Sequence, residues 1–528
     1  MPAEQVRDIY ANVMPGPNYC QNQIPAQSGL KIENWKTFAD IINPIDQTLL
    51  KQLECGFTMG INSDINIEIP VTNHASARNE YDVIDQFVIK HYESGAILGP
   101  YSHNPFPVLA KPSPMQVATS SSGKKRPVLD MSYPAGSSVN HAIPQDWSDI
   151  HGFDGIFRLP THDNICNAIV STPEPRMFIT DMKHYYMQIP SDWADTPLMC
   201  FTWRRGLWLH RRLPFGCRSS CLHAQRVTKV ITAIYKNQSK QHMDGYVDDC
   251  ASISTLTISA QAYAYFHWLL DYLGVERSVD KDQCPDLLRI FLGLLYNLRD
   301  MVMTIPEDKV TRALNMLQDW LTKDTCSKTQ AQSLLGHVNH LTAVVHAGRP
   351  FTARIVDLIR EKQFPALVAA DLKEDIQTWI DFLQSDFSRS SIIKSQDLTD
   401  PDVSLRVAVN GQTFVLNSEG ELLPFTLHVD MPLLPPHAMY AVAVWKASME
   451  YGSKFAGLVV KVTVPTKAAA LVINRAKTSA ECLRPMIRQM WMQQANLDFV
   501  VKAVVSKTNI KEELYSCFHD FKAIKIPL

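Results

Sequence analysis

The stretch HMDGYVDDCAS, residues 242–252, places two carboxylates, Asp248 and Asp249, side by side between short apolar or small residues. Adjacent like charges repel, so the pair destabilises a fold unless water or a cation lies against it. Asp244-Gly245, just upstream, is a common hairpin signal, and a solvated turn is one interpretation. A platform for divalent metal ions is the other. The stretch alone leaves both open.

Composition places the chain among globular multidomain proteins. Its 528 residues are too many for one core, and 46% hydrophobic with 20% charged residues is ordinary globular composition. No apolar run approaches the ~18 residues that cross a bilayer, and the N-terminus lacks a signal pattern. The eleven cysteines show no paired C-x-x-C framework, which indicates free thiols. We therefore expect an intracellular protein without a membrane partner, in the cytoplasm, the nucleus or both.

The charge is small overall but locally concentrated. A net charge of −2 argues against nucleic-acid binding over the whole surface and leaves room for a local basic site. Residues 203–229 contain seven Lys or Arg and no acid, with aromatic residues between them. This mixture suits phosphates with stacked bases or sugars, and a solvated basic face is the alternative. The candidate nucleic-acid-binding residues are Arg204, Arg205, Arg211, Arg212 and Arg218.

Hydrophobic periodicity divides the chain into four segments. Residues 1–95 form an N-terminal extension, partly disordered and then helical, and residues 96–305 mix short strands with turns. Residues 306–390 are helical, and a polar linker at 388–402 leads to an α/β domain at 403–528. The fold class predicted is therefore α+β or α/β, multidomain.

Individual elements follow from the same patterns. RMFITDM and GYVDDCASIS predict strands, and SAQAYAYFHWLLDYLGV predicts a helix that ends near Gly274. PEDKVTRALNMLQDWLTKD predicts a helix with Val310, Leu314, Leu317 and Leu321 on one face.

A third carboxylate, Asp181, closes an apolar strand. A simple strand terminator would explain it. However, two divalent ions about 3.5–4 Å apart need carboxylates from at least two segments, and Mg²⁺ prefers oxygen ligands. Asp181 with Asp248 and Asp249 is the smallest set that could hold such ions beside a nucleoside triphosphate.

The surroundings of these acids resemble a known family. The segments TDMKHYYMQIPSD, LPFGCRSS, YVDD and FLGLLYN resemble four consecutive motifs of reverse transcriptases in order and spacing. The upstream segment GKKRPVLDMSYPAGSSVN resembles the fingers segment of that family. The first and last segments, GPYSHNPFP and LLGHVNHLTAVVHAGRPF, narrow the resemblance to DIRS-type (tyrosine-recombinase) retrotransposons. The resemblance covers about residues 50–390 and favours the interpretation of Asp248 and Asp249 as ligands of divalent metal ions. In chain order the segments are GPYSHNPFP, GKKRPVLDMSYPAGSSVN, TDMKHYYMQIPSD, LPFGCRSS, YVDD, FLGLLYN and LLGHVNHLTAVVHAGRPF.

The resemblance implies a right-hand polymerase of fingers and palm (96–305) and helical thumb or connection (306–390), followed by a ribonuclease H-like domain (403–528). It implies an RNA-directed DNA polymerase that adds dNTPs to a primer 3′-hydroxyl with two Mg²⁺ ions, for which Mn²⁺ can substitute. The implied partners are an RNA template, a DNA or RNA primer and dNTPs. No recombinase, integrase or protease motif is visible, so integration would require a separate chain.

The resemblance also implies roles for particular residues. Asp181 and Asp248 would ligate both ions, with Asp249 as the adjacent acid. Tyr186 would pack under the sugar and exclude a ribose 2′-hydroxyl, and Gly216 would permit close backbone approach to the nucleotide and template. The other implied nucleotide-binding residues are Lys124, Arg126, Phe215 and Lys281, and the implied primer grip is Phe291, Leu292 and Gly293.

The chain departs from the family pattern near the nucleotide. The segment ATSSSG stands where the family usually has a lysine-containing segment, so one expected phosphate-binding lysine is missing. Lys124 and Lys125 are the candidate substitutes for this lysine. LPFGCRSSC gains Arg218, and His184 with Tyr185 replaces a small acidic-then-Ala pair. These changes bear on efficiency and nucleotide selectivity and leave the metal ligands in place.

The C-terminal domain matches the ribonuclease H-like pattern without its acids. The matching positions hold Asn410, Leu434 and Pro465, with only Glu513 still acidic and Asp430 displaced. Neutral residues cannot hold two Mg²⁺ ions, so we predict no ribonuclease H activity.

Other functions fit the same residues. A domesticated nucleic-acid-binding or assembly protein could keep a vestigial polymerase site, and a metal-dependent enzyme could instead add nucleotides without a template. The resemblance implies a mobile element or a host gene derived from one.

Overall fold

The computed structural model describes residues 28–61, 65, 71–106, 109–120, 123–144, 159–385, 389–394, 402–410, 413–418, 421–426, 435–476, 478 and 481–506. The chain forms two compact units, residues 1–168 with 172–291 and residues 169–171 with 292–528. Both contain helices and strands, so the mixed α and β multidomain fold class is confirmed. The four-segment division stays a prediction. Most of residues 1–30 and of the linker lies outside the described residues.

The first unit alternates helices with short strands. Its helices are α1 Ile32–Lys36, α2 Ala39–Ile42, α3 Leu49–Cys55, α4 Ala75–Asn79, α5 Tyr81–Glu93, α6 His162–Ser171, α7 Ser220–Ser239 and α8 Ser259–Leu273. Its strands are β1 Ile97–Tyr101, β2 Met115–Thr119, β3 Lys125–Leu129, β4 Pro175–Asp181, β5 Cys200–Trp203, β6 Gly206–His210, β7 His242–Tyr246, β8 Asp249–Thr255, β9 Gln283–Asp286 and β10 Leu288–Phe291. The last three residues of α6 belong to the second unit.

An antiparallel sheet of order β7-β8-β4-β9 is the centre of the first unit. The predicted strand RMFITDM is confirmed as β4, and Phe178 on it packs in one core with Val227 and Ile231 of α7 and Phe266 of α8. Burying these apolar side chains stabilises the layer of helices against the sheet. The helix predicted to end near Gly274 is confirmed, because Gly274 follows α8 with the left-handed φ of 77°.

The stretch GYVDDCASIS does not form the single strand that was predicted. It forms two strands, β7 and β8, with Val247 and Asp248 in the turn between them. The turn interpretation of Asp244-Gly245 is also wrong, since both residues lie inside β7. A Cβ on Gly245 would lie 2.3 Å from Cγ2 of Thr228, so this glycine permits α7 to approach the strand.

A second core fills the rest of the first unit. The strands β1, β6 and β5 form an antiparallel sheet, and β2 pairs with β3 as a hairpin. Ile84 and Val88 of α5 pack in this core with Ile97, Phe201 and Trp208 of the sheet. The hairpin is thereby attached to a buried framework through Met115 and Leu129, at the base of β2 and β3.

A buried histidine in this core gives a pH-dependent prediction. His210 is 1% exposed, its ring centroid lies 5.5 Å from that of Phe201, and neither of its ring nitrogens has a hydrogen-bond partner among the described residues. Burial, and then the neighbouring His91, lower its pKa to about 3. The unfolded chain therefore binds more protons below pH ~6.5, so stability falls as the pH falls. We expect His210→Leu to stabilise the first unit by about 1–2 kcal/mol at pH 7.

The advantage of His210→Leu should grow by about 1.4 kcal/mol for each pH unit below ~6.5. Urea unfolding at pH 7 and pH 5 measures it, with the exposed His103→Leu as the control that should change little. A gain that is the same at both pH values would contradict the prediction.

The second unit begins with helices and ends with an α/β sheet. Its helices are α9 Glu307–Thr322, α10 Lys328–Leu341, α11 Ala353–Ile359, α12 Ala370–Gln384, α13 Pro436–Phe455, α14 Lys467–Arg475 and α15 Arg484–Asn496. Its strands are β11 Leu294–Asn297, β12 Val302–Thr304, β13 Thr325–Cys326, β14 Ala366–Leu367, β15 Ser390–Ile392, β16 Val403–Asn410, β17 Thr413–Ser418, β18 Glu421–Thr426, β19 Val459–Val464 and β20 Val500–Val505. None of the helices in the described residues is long and apolar enough to cross a membrane.

The C-terminal sheet has the order β18-β17-β16-β19-β20. β16, β17 and β18 pair antiparallel, whereas β16, β19 and β20 run parallel. Val460 and Val462 pack in a core with Val442 of α13 and Ile487 of α15. Parallel strands need crossover connections, and helices between the strands provide them.

The predicted helix after residue 306 is present as α9, with a different buried face. Val310 and Leu317 are buried as predicted, whereas Leu314 and Leu321 are only partly buried. Ala313 and Trp320 complete the buried face instead. The buried face is therefore turned from the predicted one toward Ala313 and Trp320, and Trp320 is only 4% exposed.

A buried carboxylate links the helical part of the second unit to α15. Asp375 is 1% exposed and accepts hydrogen bonds from Arg354 and Arg488, each at 2.7 Å. We expect Asp375→Ala to lower the free energy of unfolding by about 3–5 kcal/mol, because it leaves two guanidinium groups without their buried partner. Asp371, whose exposed carboxylate contacts Arg354 at 2.9 Å, is the matched control.

Urea unfolding of the two variants measures this difference. Asp371→Ala should cost less than about 1 kcal/mol, because an exposed ion pair is screened by water. Equal losses in both variants would contradict a role for burial.

Candidate active site

Three carboxylates lie at one end of the central sheet. Asp181 ends β4, Asp249 begins β8, and their Cα atoms are direct partners in the antiparallel register. Asp248 lies in the turn directly before Asp249, and its carbonyl accepts a hydrogen bond from the Met182 backbone N–H at 2.8 Å. The fold therefore brings together acids from two distant segments, as the sequence predicted.

The charges of these acids act on one another. Burial, and then the charges of Asp248 and Asp181, raise the pKa of Asp249 to about 6. Burial and then Asp181 likewise raise the pKa of Asp248. Lys281 Nζ donates a hydrogen bond to Asp181 Oδ1 at 2.7 Å. Partial burial opposes protonation of Lys281, but this hydrogen bond and the three carboxylates raise its pKa overall. One ammonium thus faces three acids.

The chemistry of this donor set fits a divalent cation. Carboxylate oxygens are the ligands that Mg²⁺ prefers, and a divalent charge would remove the repulsion that raises the pKa of Asp248 and Asp249. Within the described residues, no three His, Cys, Asp or Glu side chains are already arranged around one point as metal ligands. Lys281 instead contacts Asp181 directly.

Helix α7 holds the turn that carries Asp248. Gln225 Nε2 donates to the Gly245 carbonyl at 2.8 Å, and the Val247 N–H donates to Gln225 Oε1 at 2.7 Å. The Thr228 hydroxyl bonds to the Val247 carbonyl and lies 2.9 Å from the Tyr185 hydroxyl. Val247 needs this support because its φ is 54°, a conformation that β-branched residues rarely adopt. The sequence analysis missed Gln225 and Thr228. The signal that could have revealed them is the presence of polar side chains on the buried face of a helix.

Two predicted nucleotide-binding aromatics are in contact. The rings of Tyr186 and Phe215 have centroids 4.7 Å apart at an interplanar angle of 44°. Phe215 is 38% exposed, and burial raises the pKa of Tyr186, which keeps its hydroxyl neutral. Asp248 also acts on Tyr186 electrostatically, so this aromatic surface lies beside the acids.

The structure shows why residue 216 is a glycine, and the reason differs from the one that the sequence suggested. Its φ is 110°, and a Cβ there would lie 1.8 Å from the carbonyl oxygen of Leu129. The Leu129 N–H donates to the Phe215 carbonyl at 2.9 Å, so the backbone packs directly on β3. The close approach is to another strand, and the predicted approach to nucleotide and template stays a prediction.

The β2–β3 hairpin carries the predicted fingers residues. Lys124 and Arg126 are exposed, and the charge of Arg126 acts on Asp248. Lys125 instead forms an ion pair with Glu80 at 2.5 Å. Arg126 therefore lies within electrostatic range of the acids, as the resemblance implies, and Lys125 has a structural partner.

The five predicted nucleic-acid-binding arginines have unlike surroundings. Arg204 is exposed and pairs with Asp85, and Arg205 beside it is exposed. Arg218 Nη1 donates to a backbone carbonyl at 2.6 Å. Arg211 and Arg212 are only 8% and 4% exposed. Arg211 lies 4.5 Å over the ring of a tryptophan, and burial lowers the pKa of Arg212 to about 10. Burial leaves Arg211 and Arg212 little surface to offer a nucleic acid, and the nucleic-acid-binding role of the five arginines stays a prediction.

The predicted primer-grip residues are split between the units. Phe291 ends β10 in the first unit and is 2% exposed. Leu292 and Gly293 begin the second unit with φ values of 47° and 78°. The Leu292 carbonyl lies 2.9 Å from Nε2 of His340. These contacts are internal, and the primer-grip role stays a prediction.

The positions predicted to have lost their acids are only partly described. Asn410 ends β16, and Pro465 directly follows β19. Asp430, Leu434 and Glu513 lie outside the described residues.

Comparison with known proteins gives only remote structural likeness. No family model and no curated protein sequence matches the chain. A foamy viral protease–reverse transcriptase, solved as a dRH form with double-stranded DNA, has a TM-score of 0.48 and 14% identity, with 96% of this chain and 82% of that one covered. A second foamy viral protease–reverse transcriptase structure, with double-stranded DNA, has a TM-score of 0.47 and 16% identity, with 94% of this chain and 98% of that one covered. A third, with an RNA/DNA hybrid, has a TM-score of 0.48 and 14% identity, with 96% of this chain and 63% of that one covered. Likeness at this level supports no conclusion about function.

Proposed function

We propose that the chain is an RNA-directed DNA polymerase, a reverse transcriptase that adds dNTPs to a primer 3′-hydroxyl. The observation that supports this most is the direct pairing of Asp181 with Asp249 beside Asp248 in a supported turn. Repelling acids at a sheet end oppose folding when they are charged, since burial and the neighbouring carboxylates raise the pKa of Asp248 and Asp249. A polymerase site needs such acids for catalytic metal ions.

The residues around the acids fit the parts of phosphoryl transfer. Asp181, Asp248 and Asp249 would hold two Mg²⁺ ions, which when bound lower the pKa of the primer hydroxyl and stabilise the charge on the leaving pyrophosphate. Lys281 holds a proton beside Asp181, and the positive charge of Arg126 acts on Asp248. Tyr186 and Phe215 provide an apolar surface for a sugar and base. Phosphoryl transfer requires mainly this positioning and charge compensation.

The same proposal covers the finer predictions. We infer a right-hand polymerase arrangement and a ribonuclease H-like C-terminal domain, which the sheet order β18-β17-β16-β19-β20 with helices between its parallel strands supports. Neutral residues at Asn410 and Pro465 support the absence of ribonuclease H activity. An RNA template, a DNA or RNA primer and a DIRS-type retrotransposon origin, in the element or in a host gene derived from it, complete the proposal.

One observation favours a second candidate function. Among the described residues no three ligand side chains surround one point, and Lys281 contacts Asp181. A domesticated nucleic-acid-binding or assembly protein could keep the acids in this arrangement without turnover.

Primer extension on a mixed-sequence RNA template, with Mg²⁺ or Mn²⁺, tests the proposal. A reverse transcriptase incorporates only the complementary dNTP and needs the template. Incorporation without a template would indicate terminal nucleotide addition instead. A folded protein that binds an RNA/DNA duplex and extends nothing would favour the assembly protein.

A further inference from the structure

The second unit contains a cavity of about 400 Å³. Three parts of the chain supply most of its lining: residues 344–349, residues 381–385 with 390–394 at the end of α12 and on β15, and residues 491–502 from the end of α15 into β20. Its volume lies in the range of small-molecule sites in proteins, about 300–1,000 Å³. All of these segments belong to residues 292–528, so the second unit forms the cavity by itself.

The walls of the cavity are apolar and rich in aromatic rings. Phe382 of α12, Trp491 of α15 and Phe499 line it and are buried, and His346 adds a fourth ring. Val345, which is also buried, lies among them on the lining. Aromatic side chains offer large, rigid surfaces that pack well against other rings. The lining therefore favours a flat aromatic ligand.

The charged groups of the lining are already engaged within the protein. They are Arg349, Asp381, Lys394, Asp498 and Lys502. Lys394 Nζ lies 2.8 Å from Asp498 Oδ2, and the guanidinium of Arg349 lies 5.4 Å from the ring centroid of Trp491. Asp381 accepts a hydrogen bond from a glutamine side chain at 2.8 Å, and Lys502 is not free either. A charged ligand would lose its hydration without a waiting counter-charge, so the site favours a neutral one.

Hydrogen-bond donors remain on the same lining. Ser385 and Ser390 are partly exposed, and their hydroxyls bond to no other side chain among the described residues. The indole N–H of Trp491 also has no hydrogen-bond partner within the described part of the chain. Buried donors without partners are rare in native proteins. A ligand that carries an acceptor could satisfy these groups.

We propose that this cavity binds a neutral, flat aromatic molecule that carries a hydrogen-bond acceptor such as a carbonyl group. The rings of Phe382, Trp491 and Phe499 would cover the aromatic body, and the serine and indole donors would hold the acceptor. The proposed catalytic acids belong to the first unit, so this binding function does not depend on the proposed polymerase activity. The ligand would bridge α12 and β20, and its binding should stabilise the second unit.

The three lining segments are far apart in the sequence. None of them carries a motif, and only the packing of α12 and β15 beside α15 and β20 creates the cavity. No local pattern could therefore have indicated this site.

Fluorescence titration of the full chain with 6-propionyl-2-(dimethylamino)naphthalene, a neutral aromatic ketone, tests the site. Ala495→Trp on α15 and Ile392→Trp on β15 replace lining residues with a larger side chain and should each weaken binding about tenfold or more. Ala468→Trp, at an exposed position of α14 away from the lining, is the matched control and should stay within about twofold of wild type.

The two variants also guard against misfolding. Ile392 is 50% exposed, so Ile392→Trp should fold even if Ala495→Trp does not, and it then decides the result alone. Affinities within about twofold of wild type in every variant that folds would overturn the proposal.

Displacement of this probe by simpler naphthalenes tests the chemistry of the ligand. 2-Acetylnaphthalene keeps the acceptor and should bind about threefold or more tightly than 2-ethylnaphthalene, which lacks it. Replacing both Ser385 and Ser390 with Ala should reduce this difference. Equal affinities of the two naphthalenes for the wild-type protein would overturn the role of the acceptor. Tighter binding of 1-naphthalenesulfonate than of the ketone would overturn the assignment of a neutral ligand in favour of an anion.

Discussion

Asp248→Asn is expected to lower the rate of primer extension at least about 1,000-fold, because a neutral amide would hold catalytic metal ions far more weakly than a carboxylate. The protein should stay folded. Burial and Asp181 raise the pKa of Asp248, so its charged form is disfavoured in the folded state. Neutralising it should leave the melting temperature unchanged or raise it. Loss of activity with gained stability is the signature of a functional acid.

The measurement is single-nucleotide extension with a matched variant in the same hairpin. Asp244→Asn makes the same chemical change on β7, where the carboxylate contacts Lys236 at 3.4 Å and His242 at 3.0 Å. It should keep activity within a few-fold of wild type. If Asp248→Asn retains more than about a tenth of the wild-type rate, the metal-ligand role is wrong.

Tyr186→Ala is expected to reduce the preference for dNTPs over rNTPs by roughly 10–200-fold, the range that one steric contact can give. The ring of Tyr186 packs against Phe215 and is held beside the acids. Its removal would leave room for a ribose 2′-hydroxyl. The ratio of kcat/KM for a matched dNTP and rNTP measures the effect.

Tyr185→Phe is the control for this prediction. Tyr185 is 3% exposed, and its hydroxyl lies 2.9 Å from the Thr228 hydroxyl. We expect its loss to cost about 1 kcal/mol of stability and to leave sugar selectivity unchanged. If Tyr186→Ala leaves the selectivity ratio within about twofold of wild type, the steric role of Tyr186 is wrong.

Local patterns were sufficient for several elements around the site. The apolar run before Asp181 predicted β4, because a continuous apolar run with an acid after it marks where a buried strand reaches solvent. Gly274 predicted the end of α8, because only glycine enters the left-handed conformation at low cost. The order of motifs then suggested that Asp181 and Asp248–Asp249 would meet, and the register of β4 with β8 brings them together.

Other features depended on contacts between distant segments. The turn lies at Val247 and Asp248 and not at Asp244-Gly245, because Gln225 of α7 binds the strained turn. No local propensity would place a valine at a φ of 54°.

Burial likewise could not be inferred from charge alone. The sequence determined a strand ending in an acid, a pair of adjacent acids and a basic, aromatic stretch. The tertiary structure decided which cations stay exposed: Arg211 and Arg212 are buried, whereas Lys90 reaches His184. The ends of β4 and α8 follow from neighbouring residues, whereas the turn after β7 and the surroundings of each charge are set by the segments that pack on them.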